Sequence, residues 1–356
     1  MQLSWKRLRM HTRHPFKIAR EGASVVGRDV DRIVVRIEHD GLVGLGEAAP
    51  TPYYRQSLDS VERALERIGP MLGAEPEPIE ALVDRLLERF DDQRATVAAV
   101  DAALHDWAGR RAGQSVWRML GLDPADTPPT SMTIGIDDAG LIERKVREAD
   151  AFSILKVKVG TADDAPTLSA VRRVAPQKRL RVDANCGWSP AEAAERIAEI
   201  GRFDLELIEQ PLPAGCLDEL RRLRECGSVR DAAIPIIADE DCVRPVDLER
   251  LAGVVDGVNI KLSKCGGIVE ALRMIRQARS LGLKVMLGCM VETSLGVGAA
   301  AAIASLADYV DLDGHLLLAD DPFTGLDLAD GVVRPGPDAG LGIEVRREGA
   351  GGAAGV

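Results

Sequence analysis

The sequence predicts a (β/α)8-type barrel preceded by a mixed α+β region, and three observations carry that reading. From about residue 130, short apolar runs alternate with helical patterns, as parallel β/α units do. The spacing is near-regular: Lys158, Asp183, Glu209, Asp239 and Lys261 follow one another at 25, 26, 30 and 22 residues, and Asp313 comes 52 residues later, two units on. Almost every run also ends in a charged residue. Eight such units suit a fold whose usual size is roughly 250 residues. An open doubly wound sheet would give the same alternation, but no glycine-rich dinucleotide fingerprint follows an early strand.

Taken in order, "RIVVRIEHDGLVGLGEAAP" reads as two β segments joined by a His-Asp-Gly turn, with alternating apolar residues before it. Helical patterns follow at 57–72, 77–89 and 93–111; Gly69-Pro70 breaks the first and the last ends near Gly113. "GLDPADTPPT" (121–130) is a proline-rich connector and the best candidate boundary. Eight apolar runs come after it: "SMTIGI", "ILKVKV", "LRVDAN", "LELIEQP", "IPIIADE", "GVNIKL", "KVMLGC" and "YVDLDG". Between them lie patterns such as "SPAEAAERIAEIG" and "GIVEALRMIRQARSLG".

Bulk properties narrow the function. The chain has 356 residues, 46% of them hydrophobic, enough for a large core. A formal charge of −11 and only 3% aromatic residues argue against nucleic-acid binding, which needs clustered positive charge and stacking surfaces. The N-terminus has no apolar h-region, and no stretch reaches membrane-spanning length without charges. Six scattered cysteines with no C-x-x-C pair read as reduced thiols of a cytoplasmic protein.

The strand ends carry the chemistry. In a parallel barrel the C-terminal ends of the strands meet at one face, where active sites of this fold lie. Lys158, Asp183, Glu209, Asp239, Lys261, Asp311 and Asp313 would all converge there. Any one of the carboxylates could merely cap a following helix, but as a set they share one mouth. Three carboxylates repel one another unless a cation lies between them. Oxygen ligands without His or Cys select Mg²⁺ or a similar hard ion, so Asp183, Glu209 and Asp239 are candidate metal ligands. Such an ion is a Lewis acid able to stabilise a carboxylate becoming an enediolate.

Lys156 and Lys158, two apart in "SILKVKVG", leave the same strand face. Lys158 on the second strand and Lys261 on the sixth approach from opposite sides, as inversion of a stereocentre requires. A lysine is a usable base only with a lowered pKa, and Lys156 is the neighbouring cation that would lower that of Lys158. The bland alternative is two lysines snorkelling from a strand edge.

With "KVKVG", "RVDANCGW", "IEQPLP", "IADE", "NIKLSKCGGI", "GCMVETSLG" and "DLDGHLLL" together, the chain resembles the enolase superfamily, in its muconate-lactonizing-enzyme subgroup, and within that the dipeptide epimerases. The resemblance spans nearly the whole chain, and a Lys base working with Mg²⁺ is a chemistry already known for that superfamily. It implies a modified barrel, (β/α)7β, over 126–320, and a capping domain of 1–125 completed by 321–356. It implies that Lys158 and Lys261 are the acid/base pair, that Asp183, Glu209 and Asp239 bind Mg²⁺, and that Glu240 supports them. Lys264 is assigned to the loop after "NIK".

Asp311 and Asp313 of "DLD" suit the α-ammonium of a dipeptide, with Thr133 a further substrate-binding residue. Arg20 is the natural partner of a glutamate side chain on the second residue, with Lys17, Arg28 and Arg55 as competitors and Glu21 opposing an anion. The implied substrate is L-Ala-D/L-Glu, from murein-peptide turnover; hydrophobic or cationic dipeptides stay open. N-acylamino-acid racemase or o-succinylbenzoate synthase is the alternative on the same metal and lysines, and muconate cycloisomerase a more distant one. A Schiff-base aldolase would not need three carboxylates, and a non-catalytic metal scaffold would exchange no α-proton. A homo-oligomer is compatible with the sequence.

Overall fold

The structure is a computed structural model that describes residues 1–19, 29–162 and 164–346. Its N-terminal region is a three-stranded antiparallel sheet in the order β1 (Gln2–His11), β2 (Asp29–His39), β3 (Leu42–Ala48). Asp40 and Gly41 join β2 to β3, both with positive φ (52° and 71°), as a tight hairpin requires. β1 has no counterpart among the expected strands. In its "QLSWKRLRMH" the apolar residues Leu3, Trp5, Leu8 and Met10 shift phase at Lys6-Arg7 and only Met10 is fully buried, while every residue of the strand pairs with β2.

Three helices pack on this sheet: α1 (Leu58–Ile68), α2 (Ile79–Arg89) and α3 (Arg94–Ala112). Ser57 and Ser60 cap α1 reciprocally, and α3 ends at Gly113, with φ 64°. Gly44 and Gly46, on one face of β3, let α3 lie directly on the sheet; a Cβ at either would collide with the α3 backbone at Ala103 or Ala99. A short α4 (Val116–Met119) leads into the connector.

The eight expected barrel strands are all present: β4 (Met132–Ile134), β5 (Ile154–Lys158), β6 (Arg179–Asp183), β7 (Leu205–Glu209), β8 (Ile236–Ala238), β9 (Gly257–Lys261), β10 (Lys284–Gly288) and β11 (Tyr309–Asp311). They form one parallel sheet in sequence order. A bridge between Thr130 and Val310, with Ser131 N donating to Val310 O at 3.1 Å, brings β11 beside β4 and closes the barrel.

Helices follow the first seven strands: α5 (Ala139–Glu148), α6 (Asp164–Val174), α7 (Ala193–Gly201), the pair α8 (Leu217–Glu225) and α9 (Gly227–Ala232), α10 (Pro245–Leu251), α11 (Leu262–Cys265) with α12 (Ile268–Ser280), and α13 (Ser294–Ala301). Only a 3-10 turn, Gly314–Leu317, follows β11, which gives (β/α)7β. The C-terminal segment touches both parts. Arg110 of α3 donates to Ile343 O (3.0 Å) and Trp117 of α4 to Gly336 O (3.1 Å), while Thr130 N donates to Gly331 O (2.8 Å).

Candidate active site at the barrel mouth

Strand period places the site. Arg181, Leu207, Ile237, Met286 and Tyr309 form a layer beneath the strand ends, and Leu207, Ile237 and Met286 make one buried cluster with Tyr309 packed on it. Two residues further on, the same faces present the functional groups. Lys158, Asp183 and Glu209 are level across β5, β6 and β7, and Lys261, Gly288 and Asp311 are level across β9, β10 and β11.

Lys156, Lys158, Lys261, Asp311, Asp313 and Thr133 line one cavity of about 290 Å³, roofed by Phe16, Ile18 and Thr51 of the N-terminal region. Lys158 and Lys261, each 8% exposed, stand on strands four apart in the eight-strand order. Arg20, Glu21 and Arg28 lie outside the described residues, so their expected contact with a substrate side chain has no structural counterpart here. Lys17 pairs loosely with Asp137 (3.9 Å), and Arg55 follows the 3-10 turn Pro52–Tyr54.

The three metal-ligand candidates share one arrangement. One oxygen of each is fixed by a donor behind it: Asp183 Oδ1 by Asn185 N (2.8 Å), Glu209 Oε1 by Asn259 Nδ2 (2.8 Å), Asp239 Oδ1 by Lys264 Nζ (2.5 Å). The other oxygen faces a lysine: Asp183 Oδ2 takes Lys158 (2.6 Å) and Lys156 (3.1 Å), Glu209 Oε2 takes Lys156 (2.7 Å), and Asp239 Oδ2 takes Lys261 (2.8 Å). Lys156 also holds Asp311 (2.7 Å), whose other oxygen accepts from Ser131 Oγ (2.6 Å).

One expectation is corrected, that for Lys264. Lys156 stands as a cation beside Lys158, and three carboxylates surround it and hold its pKa well above normal although burial opposes them. Lys264 belongs to no loop; it lies on α11, 1% exposed, and turns back onto Asp239. Asn185 and Asn259 are further site residues that the sequence reading passed over. Asn259 stands two before Lys261 on the same strand face, a signal that the alternation alone could have supplied.

Burial pushes the Glu209 carboxyl up to about 7, and the Asp183 charge adds to it. Burial would raise Asp183 and Asp239 too, but Lys158 and Lys156 beside the one, Lys261 and Lys264 beside the other, hold both below the usual carboxylate range. Burial likewise opposes the charge on Lys261, which Asp239 outweighs, so its pKa is raised. Asp313 differs from Asp311. Its Oδ2 accepts from Thr133 N (2.6 Å), and burial together with the Asp311 charge raises it to about 6.

The donor set fits a hard divalent ion: all oxygen, fully buried, one oxygen of each carboxylate facing inward. The buried Oδ1 of Asn185, at the same cavity, has no hydrogen-bond partner. Among the described residues no three acidic, His or Cys side chains stand grouped as metal ligands, and lysine ammonium groups contact the inward oxygens of Asp183, Glu209 and Asp239. The six cysteines are all free, and among the described residues no helix is long and apolar enough to cross a membrane.

Comparison with known proteins agrees with this geometry. The family described as mandelate racemase / muconate lactonizing enzyme, N-terminal domain, matches residues 5–121, and enolase C-terminal domain-like matches 141–349. An L-Ala-D/L-amino acid epimerase of Pedosphaera parvula is 38% identical over 340 residues, covering 94% of this chain and 96% of that one. A substrate-liganded L-Ala-D/L-Glu epimerase from Bacillus subtilis superposes with a TM-score of 0.88 at 30% identity, over 96% of this chain and 98% of the other. A dipeptide epimerase from Enterococcus faecalis, complexed with Mg and L-Leu-L-Tyr, gives 0.86 at 32% identity, over 96% and 98%. Matched along both its α+β region and its barrel, the chain belongs to the mandelate racemase / muconate lactonizing enzyme family of the enolase superfamily.

Proposed function

We propose that the chain is a Mg²⁺-dependent dipeptide epimerase that inverts the α-carbon of the second residue by moving its proton between Lys158 and Lys261. The observation that carries this is the pair of lip lysines on strands four apart, facing one cavity with three buried carboxylates between them. Asp183, Glu209 and Asp239 would hold the ion, which supplies Lewis-acid neutralisation of the charge that gathers on the substrate carboxylate when the α-proton leaves.

One lysine, neutral, takes the α-proton from its face; the other, as an ammonium, returns a proton to the opposite face. Lys261 can be the neutral partner only when Asp239 is engaged elsewhere, since that carboxylate keeps it protonated. Asp313 is the natural seat of the substrate α-ammonium. It is a buried acid whose charge is not balanced by Lys156 as that of Asp311 is, and such a group is costly without a cation. Thr133 orients it.

The preferred substrate is L-Ala-D/L-Glu, which would place the enzyme in cytoplasmic murein-peptide turnover; the E. faecalis relative bound to L-Leu-L-Tyr supports a hydrophobic dipeptide as the second reading. Residues 1–125 with the segment after 320 would act as its cap. The test is α-proton exchange in D₂O across an L,L-dipeptide library with N-acetylated counterparts. Exchange confined to free dipeptides supports the proposal, and preference for N-acetyl substrates moves it to the acylamino-acid racemases.

A further inference from the structure

Lys264 makes more contacts than a helix-surface lysine has any reason to make. Its ammonium donates to Asp239 Oδ1 (2.5 Å), to Asp239 O (2.6 Å) and to Asn259 O (2.9 Å), so all three of its donors are used, two of them on main chain. It gets there because the chain turns at once after β9. The single turn of α11 ends at Gly266 and Gly267, with φ 107° and 118°. That turn is itself clamped from the cap side: Arg94 of α3 donates to Cys265 O (2.5 Å), and Asp101 of α3 accepts from Ile268 N.

Asp239 therefore carries two ammonium groups of different kinds. Lys261, at the lip, touches only Oδ2 and faces the cavity; Lys264, behind it, is pinned by backbone carbonyls and cannot leave without abandoning them. At Asp183 and Glu209 the equivalent rear donor is neutral, a backbone N–H and an asparagine amide. Only at Asp239 is it a full charge.

We infer that Lys264 is a positioning residue that locks Asp239 through Oδ1, so that Oδ2 alone is offered to the ion and Lys261 alone is released. This rests on Asp239 being a metal ligand, as proposed above. Lys264 would keep its three contacts when an ion binds Oδ2, and through the α11 turn it ties α3 to one face of the site.

The test uses Mn²⁺ as a paramagnetic substitute, with its binding followed by EPR, and Tb³⁺, whose luminescence lifetimes in H₂O and D₂O count inner-sphere waters. Removing a group that orients a metal ligand typically weakens binding roughly 10- to 100-fold. Lys264→Met is expected to weaken Mn²⁺ by that factor and to add an inner-sphere water to bound Tb³⁺, as Asp239 swings away. Unchanged or tighter Mn²⁺ binding with the same water count would overturn the inference, whatever happens to activity.

Should Lys264→Met fail to fold, the native chain decides. Acetylation with N-hydroxysuccinimidyl acetate, mapped by mass spectrometry, should leave Lys264 unlabelled with and without Mn²⁺, while labelling of Lys261 changes on adding the ion. Labelling of Lys264 that rises with Mn²⁺ would sink it. Glu209→Gln separates the two levels: if that variant binds Mn²⁺ as the wild type does, the metal site itself is wrong and this inference falls with it.

Discussion

On β5 the two lysines are neighbours on one strand face; on β9 the second lysine arrives from the helical turn that follows. Both sides of the mouth still end with the same pair, one lip lysine 8% exposed (Lys158, Lys261) and one deep lysine 1% exposed and enclosed by acceptors (Lys156, Lys264). The deep lysines differ in what encloses them. Lys156 meets only side-chain carboxylates, including Asp311 on the far side of the barrel closure, whereas Lys264 is held mostly by backbone carbonyls. The β5 side is thus an adjustable charge cluster and the β9 side a fixed bracket. Four ammonium groups face Asp183, Glu209, Asp239 and Asp311, so these charges close among themselves. Asp183, Glu209 and Asp239 would hold a divalent ion here, and its positive charge would favour the neutral form of a lip lysine, the form a base needs.

The largest expected effect falls between the two sides. Glu209→Gln should abolish metal binding and activity together, since a Lewis-acid contribution of several kcal/mol corresponds to roughly 10³-fold or more in rate. In the wild type, protonated Glu209 cannot bind the ion, so calorimetry should find Mg²⁺ affinity falling as pH drops through about 7. Full activity in excess chelator would break the scheme.

Next come the lip lysines, where the comparison is sharpest. Lys158→Ala should lose α-proton exchange for one epimer and Lys261→Ala for the other, each by about 10²- to 10⁴-fold, with epimerisation gone in both. NMR of each pure epimer in D₂O reads this directly. Loss of exchange for the same epimer in both variants would mean that the lysines do not face opposite sides of the carbon.

Asp313→Asn should lower kcat/KM for free dipeptides by roughly two to three powers of ten, from a buried charge pair of about 3–5 kcal/mol, and do far less to an N-acetyl analogue. Its carboxylate, not its acid form, pairs with an ammonium. Wild-type kcat/KM should therefore fall as pH drops through about 6, and the variant should lack that limb. Equal losses on both substrates would make the aspartate structural.

Smallest is Ser131→Ala. It removes one hydrogen bond to Asp311 but leaves Lys156 in place, which predicts about 1 kcal/mol and less than a tenfold fall in kcat/KM. A loss as large as that of Asp313→Asn would shift the ammonium site towards Asp311.

Much of this arrangement was legible in the amino-acid order. Strand alternation is strictly local, so "KVK" announces two side chains on one face, and the near-regular recurrence of Asp183, Glu209 and Asp239 announces neighbouring strand ends. The same logic applied to "NIK" would have found Asn259. β1 was harder to read, because its apolar residues alternate as Leu3 and Trp5 and then, after a slip at Lys6-Arg7, as Leu8 and Met10, and only Met10 becomes fully buried. Lys264 was not legible either: three residues past a strand position, strand geometry sends it away from Lys261, and only the one-turn helix after β9 brings it back.

By itself the sequence determined the eight barrel strands, the face each strand-end charge takes and the kind of ligand atoms available, because these follow from a period of two and from side-chain chemistry. The tertiary structure alone decided how charges were shared out among those groups. Lys156 reaches Asp311 because the barrel closes β11 beside β4, across 155 residues of chain. The Asp313 pKa stays raised because burial and the neighbouring Asp311 charge outweigh its Thr133 hydrogen bonds and the attraction of Lys156. Pairing energies depend on distance and burial, and neither exists until the barrel has closed.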